Sequence, residues 1–318
     1  MDWIKILLIA IIFDIIIGDP PNWPHPIRYI GSVIKVYEKA IRKQKWFNLK
    51  VGGFFLTALT LITVVFIVTL LSEVTKIIHP VFNSIVSIYF TYTALATKCL
   101  HVEAKKVYTA VKSDDIKLSR KMLSYIVGRE TTNLNYQEII RGAVETVAEN
   151  TIDGVLAPMF YFIVGVYIGY PVHMIILYKT INTLDSMVGY IQESYKDIGY
   201  ASAKLDDIAN FIPARVGSIL MLLSGFIFRY NVINGAKILI RDRRNHKSPN
   251  CGYPESVVAG LLDVQLGGSN TYFGQILYKP TIGDKNKKLT AINIVDSIKI
   301  MYGAQCIFIL LILLMIFI

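Results

Sequence analysis

Charge and cysteine are what this 318-residue sequence has least of, and each scarcity excludes something. Only 18% of the residues are charged, against roughly 25% in an average soluble domain. The deficit lies in long apolar runs, so an ordinary soluble globular protein is excluded and a polytopic membrane protein is indicated. Three cysteines, Cys99, Cys251 and Cys306, lie far apart with no C-x-x-C pair, which argues against a disulfide framework or a structural zinc site. The five histidines are scattered and no H-E-x-x-H occurs, so catalytic zinc has no signal. There is no G-x-x-x-x-G-K-[ST] and no G-x-S-x-G; any nucleotide is held without a P-loop, and the serine-hydrolase elbow is missing. Repeats, low-complexity tracts and soluble linkers are absent as well, so residues 1–318 read as one domain.

The net charge of +10 fits a positive-inside bias and anionic headgroups, and nucleic acid is not expected as a partner. The N-terminal apolar run, Trp3 to Ile17, has Lys5 as its basic residue and no small-residue cleavage site. It reads as a retained helix interrupted by Asp14. The prolines of G-D-P-P-N-W-P-H-P (Gly18 to Pro26) forbid a regular helix and hold Asp19, His25 and Arg28 on a stiff loop. Ile34 to Lys50 reads as a basic surface helix. Gly52 to Leu71 reads as a spanning helix, paired with a second span from Val81 to about Leu100. His101 to Asn135 is amphipathic and basic, and the positive-inside rule puts it with Gly18 to Lys50 on the cytoplasmic side. Tyr136 to Asn150 reads as a helix ended by T-I-D-G. Val155 to Tyr178 and Ile208 to Phe228 are apolar runs broken by Pro and Gly, expected as interrupted or buried helices. Arg229 to Lys299 is soluble in character, and Ala304 to Ile318 is a final apolar helix. The expected fold is all-α: a polytopic integral membrane helical bundle with about four to six membrane segments and cytoplasmic amphipathic helices and loops.

Against this apolar background three polar blocks stand out. Glu145 and Glu149 are four apart on one helix face, followed by Asn150 and Asp153. Asn182, Asp185 and Ser186 repeat the theme, and Asp206, Asp207 and Asn210 give it a third time. Carboxylates beside membrane sequence are costly unless they bind something, and oxygen ligands of this kind suit Mg²⁺ completed by waters and phosphates. The basic partners are Arg28, Arg129, Lys179, Lys204, Arg215 and His246, suited to phosphate or carboxylate. His246 to Glu255 is a proline-containing loop carrying Asn250, and Gly267-Gly268 is a second small-residue loop. Two classes fit: a membrane transferase or ligase acting on a phosphorylated or carboxylated substrate with Mg²⁺, and a transporter whose intramembrane carboxylates bind a coupling ion. The absence of repeats favours the enzyme. Asp153-Gly154-x-x-Ala157 opens like the CDP-alcohol phosphotransferase motif, but Pro158 stands where that motif needs Arg.

Six ordered blocks carry a specific resemblance: Gly18 to Gly31, Ala143 to Pro158, Tyr178 to Tyr190, Leu205 to Arg215, Ser248 to Ser256 and Val264 to Gly268. Together they resemble the adenosylcobinamide-phosphate synthase family (CbiB/CobD) of cobalamin biosynthesis, over nearly the whole chain. Lys247 and Glu130 are small departures from the family pattern. The resemblance implies a multi-pass cell-membrane ligase that joins (R)-1-amino-2-propanol, or its O-phosphate, to the f-propionate carboxyl of adenosylcobyric acid. It implies ATP and Mg²⁺, an adenosylcorrinoid substrate, membrane lipid, and other membrane-bound corrinoid-assembly enzymes as partners. On that basis Glu145, Asn150, Asp153, Asn182, Asp185, Asp206 and Asp207 are the expected catalytic set, with Glu145, Asp153 and Asp185 as Mg²⁺ ligands. Asp19, His25, Arg28, Lys179, Arg215, His246, Asn250 and Glu255 are expected to bind substrate or phosphate.

Overall fold

Most helix starts are written in the local sequence. A computed structural model describes residues 2–20, 22–190, 193–272 and 275–316. Pro21 of the proline-rich loop, and Phe317 and Ile318 of the expected last helix, lie outside the described residues. Asp2 caps α1 (Trp3–Ile17), and Pro26 opens α2 (Pro26–Lys43). Asn48 caps α3 (Leu49–Ile78), which is followed by α4 (Pro80–Ala94) and α5 (Thr97–Lys112). Asp115 caps α6 (Ile116–Ser124), and Asn135 with Glu138 forms a capping box on α7 (Tyr136–Asn150). After α7 come α8 (Ala157–Ile168), α9 (Pro171–Val188), α10 (Glu193–Lys196), α11 (Tyr200–Ala209) and α12 (Phe211–Ile227). The chain closes with α13 (Val232–Asp242), α14 (Gly252–Leu262), an antiparallel hairpin of β1 (Leu266–Tyr272) and β2 (Gln275–Ile282), and α15 (Ile292–Ile316). The fold is thus almost entirely helical, with one hairpin that the all-α expectation did not include.

Among the described residues three helical stretches are long and apolar enough to cross a membrane: Leu49–Ile78, Tyr136–Ile168 and Ile292–Leu314. A fourth is possible by length and composition if α11 and α12, bent by 46° at Asn210, count as one broken span. Three is fewer than the roughly four to six expected, and the bent pair brings the number only to the lower bound. The expected span from Val81 to Leu100 is the main loss, because α4 stops at Ala94 and the chain restarts as the amphipathic α5. Lipid-facing character is plain on α3, where Phe54, Ile62 and Phe66 are more than half exposed. These features make the protein a multi-pass membrane protein.

Two local expectations are corrected. Asp14 does not interrupt α1, which runs through it. Its buried carboxylate instead accepts the backbone N–H groups of Thr97 (3.0 Å) and Lys98 (3.4 Å) at the start of α5, satisfying donors a helix start leaves open. T-I-D-G does not end α7 either. Residues Thr151–Leu156 continue as a π-helical segment that leads into α8, and the Thr151 hydroxyl bonds back to the Val147 carbonyl at 2.7 Å. A π turn closes i→i+5 rather than i→i+4 and recurs at functional positions in helices.

The chain groups into two compact units, each discontinuous in sequence: Met1–Lys98 with Ala157–Asn210, and Cys99–Leu156 with Phe211–Ile318. In the first unit α9 is the hub, packed against α2, α3, α4, α8 and α11. In the second, α12 packs on α13, α14, α15 and the π segment, while α7 meets α6, α14, α15 and β1.

Candidate functional site

The candidate residues separate into two polar clusters, one within each unit. In the first unit the proline-rich loop is tied down by hydroxyls of α4: Tyr92 donates to the Gly18 carbonyl and Tyr89 to the Pro24 carbonyl. On the loop, His25 Nε2 lies 3.3 Å from Asp19 Oδ1. Arg28 follows, exposed, in the first turn of α2. On α9, Lys179, Asn182 and Asp185 are half-buried. Asn182 and Asn210 each donate an amide to Asp206, at 3.4 and 3.1 Å, and the Tyr178 hydroxyl donates to Asn210 Oδ1 at 2.8 Å. Tyr178 stacks on Tyr161, with ring centroids 4.9 Å apart, and Tyr161 donates to the Ala209 carbonyl. Asp207 pairs with the exposed Lys204 at 3.2 Å.

The second unit brings together residues far apart in sequence. Glu145 is fully engaged: Arg129 Nη2 donates to Oε2 at 2.8 Å, the Gly267 N–H donates to Oε1 at 2.8 Å, and Arg141 Nε lies 3.7 Å from Oε1. Arg129 reaches Glu145 by lying across α7 at Gly142, where any Cβ would collide with its Nη2. Arg141 also holds the hairpin through the Ser269 carbonyl at 3.0 Å. One turn on, Glu149 accepts the Cys251 thiol at 3.0 Å. Asn150 donates back to the Thr146 carbonyl at 3.0 Å. Asp153 follows on the π segment, half-buried like Glu149. Burial raises the Cys251 thiol well above its ordinary pKa, and the negative charges of Glu149, Asp153 and Glu255 raise it further. Three carboxylates therefore act on one half-buried position.

Cations and donors flank that position. Arg215 donates to Asn250 Oδ1 at 3.2 Å and is held between the rings of Phe211 (3.5 Å) and Tyr253 (4.3 Å). His246 Nδ1 accepts the Ser248 N–H at 3.0 Å, which leaves its proton on Nε2 in the neutral ring. That nitrogen lies 3.8 Å from Glu255 Oε1, with both groups buried.

The Mg²⁺ trio does not fit as expected from sequence. Both oxygens of Glu145 are engaged by protein donors, and among the described residues no three His, Cys, Asp or Glu side chains gather into a metal-holding group. Glu149, Arg141 and Cys251 were left outside the expected set. Helical spacing pointed to Glu149, but the tertiary partners of the other two are not encoded in any local pattern.

The chain matches the CobD/Cbib protein family over residues 7–301. It is 45% identical over 307 residues to a cobalamin biosynthesis protein CobD of Clostridium tetani, covering 96% of this chain and 95% of the relative. A CobD of Clostridium acetobutylicum is 45% identical over 309 residues, covering 96% of both chains. A CobD of Listeria monocytogenes serotype 4b is 43% identical over 303 residues, covering 94% and 93%. No solved structure matches. The ordered motifs and near full-length coverage define the class as membrane-bound cobalamin biosynthesis proteins. The chain belongs to the CobD/CbiB family.

Proposed function

We propose that the whole chain, 1–318, is an acid–amine ligase that forms the amide between (R)-1-amino-2-propanol, or its O-phosphate, and the f-propionate carboxyl of adenosylcobyric acid, with ATP. The observation that supports this best is the convergence in the second unit of three family motifs, through the Glu149–Cys251, Arg215–Asn250 and His246–Glu255 contacts. A resting carboxylate does not acylate an amine, so in this reading the corrinoid carboxylate first takes a phosphoryl group from ATP, releasing ADP. The amine then attacks the acyl phosphate, losing a proton and expelling phosphate, which yields adenosylcobinamide or its phosphate.

In this reading Arg215 and His246 hold the anionic phosphate, as cationic and hydrogen-bonding groups do where charge develops. Glu149 and Asp153 attract the incoming ammonium, and one of them takes its proton before attack. Glu145 acts as a structural anchor for Arg129 and the hairpin. In the first unit Asp19, His25, Arg28, Lys179, Asp185 and Asp207 bind substrate, and Asn182 and Asp206 hold the polar network that links α9 to α11. No step is routed through a protein-held metal; Mg²⁺ enters with ATP, which needs few protein ligands of its own.

The test is direct. Purified protein in detergent is given adenosylcobyric acid, the amine or its phosphate, ATP and Mg²⁺, and the amide is sought by mass spectrometry. Folded protein that makes no product with either amine overturns the reading. In cells, a null strain should grow on cobinamide but not on cobyric acid; growth on cobyric acid, or failure on cobinamide, would favour transport instead.

A further inference from the structure

The corner between α12 and α13 has no part in the chemistry above. Its inner side is firmly built. Gly260 of α14 approaches α13 so closely that a Cβ there would lie 2.7 Å from both the Asn234 carbonyl oxygen and the Gly235 Cα. Ile238 and Asp242 are buried on the same side. Tyr230 donates to Asp296 at 2.8 Å and Asn231 to Asp263 at 2.9 Å, which pins both inward. The outer side is different. Ile233 and Ile240 are 86% and 70% exposed on one helix face with Lys237 and Arg241, and the exposed Arg244 follows just past the helix end. The acid of α13, Asp242, is buried; Arg241 is bound to it and, at 2.9 Å, to Asp284, so the cations this corner turns outward are Arg229 and Lys237, with Arg244 just past the helix.

This face continues a lipid-facing surface. α12 belongs to the bent pair long and apolar enough to span a membrane, and its last turn exposes Phe226 and Ile227. Between that turn and α13 lies an open concavity of about 760 Å³, walled by Phe226, Ile227, Val232 and Ile233 and carrying Arg229 and Tyr230. Arg229 is exposed and sits at φ +58°, the left-handed position where a helix end more often has glycine. Apolar walls beside basic side chains are the composition of an interfacial helix on an anionic bilayer.

We propose that this corner binds an anionic membrane phospholipid, its acyl chain along Phe226, Ile227 and Ile233 and its phosphate on Arg229, with α13 lying in the membrane interface. Full-length protein in detergent, stripped of lipid, is titrated with phosphatidylglycerol or phosphatidylcholine and examined by native mass spectrometry. Phosphatidylglycerol should bind at least fivefold more tightly than phosphatidylcholine. Arg229→Gln should weaken phosphatidylglycerol about fivefold, the effect of roughly one basic residue at an anionic surface, and phosphatidylcholine, whose choline cation offsets its phosphate, by less. Ile233→Asn should weaken both. Inorganic phosphate at millimolar concentration should displace neither. Equal binding of the two lipids, phosphatidylglycerol binding unchanged in Arg229→Gln, or displacement by phosphate would each overturn the proposal. Hydrogen exchange on the unmodified protein in nanodiscs gives a test independent of any variant's folding. Amides of 232–242 should be more protected in phosphatidylglycerol than in phosphatidylcholine, and equal protection would also count against the site.

Discussion

The two polar clusters use the same residue types in opposite ways. In the first unit Asp206 receives neutral amide donors from Asn182 and Asn210, and Asn210 receives Tyr178, all linking α9 to the α11–α12 junction. Such a network holds a carboxylate by hydrogen bonds and fixes side-chain geometry. In the second unit the cationic Arg129 is engaged by Glu145, and Glu149, Asp153 and Glu255 instead concentrate negative charge on the Cys251 position. In the proposed reading the first cluster holds its own shape, and the carboxylates of the second draw in the substrate ammonium. The contrast gives each a different expected response to mutation.

The largest effect is expected in the second unit. Glu149→Gln and Asp153→Asn should lower turnover by about 10²- to 10⁴-fold for whichever residue takes the ammonium proton, with thermal unfolding in detergent little changed. Full turnover in both variants would remove the proposed distinction between the clusters. Glu145→Ala should behave in the opposite way. It strands a buried guanidinium and removes the acceptor of the Gly267 N–H, a loss of about 3–5 kcal/mol, visible as poor yield and a lower unfolding temperature. A paired Arg129→Met, Glu145→Leu variant should recover much of that stability. If Glu145→Ala keeps its stability but loses activity, Glu145 belongs with the reacting groups after all.

In the first unit Asp206→Asn should cost about 1–3 kcal/mol, because a carboxamide presents one acceptor oxygen where the carboxylate presents two. The measurement is thermal unfolding beside steady-state kinetics. A large drop in turnover at unchanged stability would show that Asp206 acts on substrate and that the two clusters are alike.

The helical class and several boundaries were legible in the sequence because they are local. The apolar run Trp3 to Ile17 and the stretch Tyr136 to Asn150 both fall where the structure puts the helices. What was not legible depends on distant partners. Asp14 looks like a helix interruption until the start of α5 is placed beside it. T-I-D-G has the composition of a stop signal, yet the π segment keeps Asp153 on a continuing helix. Glu145 and Glu149 are equivalent by spacing. They diverge because Arg129, 16 residues upstream, takes the first, while Cys251, 102 residues downstream, meets the second.

The smallest effect concerns that thiol. Burial is the first cause of the raised Cys251 pKa, and the charge on Glu149 is the next. Only the thiolate is alkylated at a useful rate, so Cys251 in folded protein should resist iodoacetamide between about pH 7 and 9, the range in which an ordinary thiol ionises. Removing the negative charge at Glu149 favours the thiolate and moves the pKa down. Glu149→Gln should therefore label faster than the parent at the same pH. The gain should be only a few-fold, since burial remains and each tenfold in thiolate fraction needs a full pKa unit. Labelling is followed by peptide mass spectrometry in a background where Cys99 and Cys306 are serine. An unchanged or slower rate would mean that Glu149 does not govern the thiol electrostatically, and the field attributed to the second cluster would have to come from Asp153 and Glu255 alone.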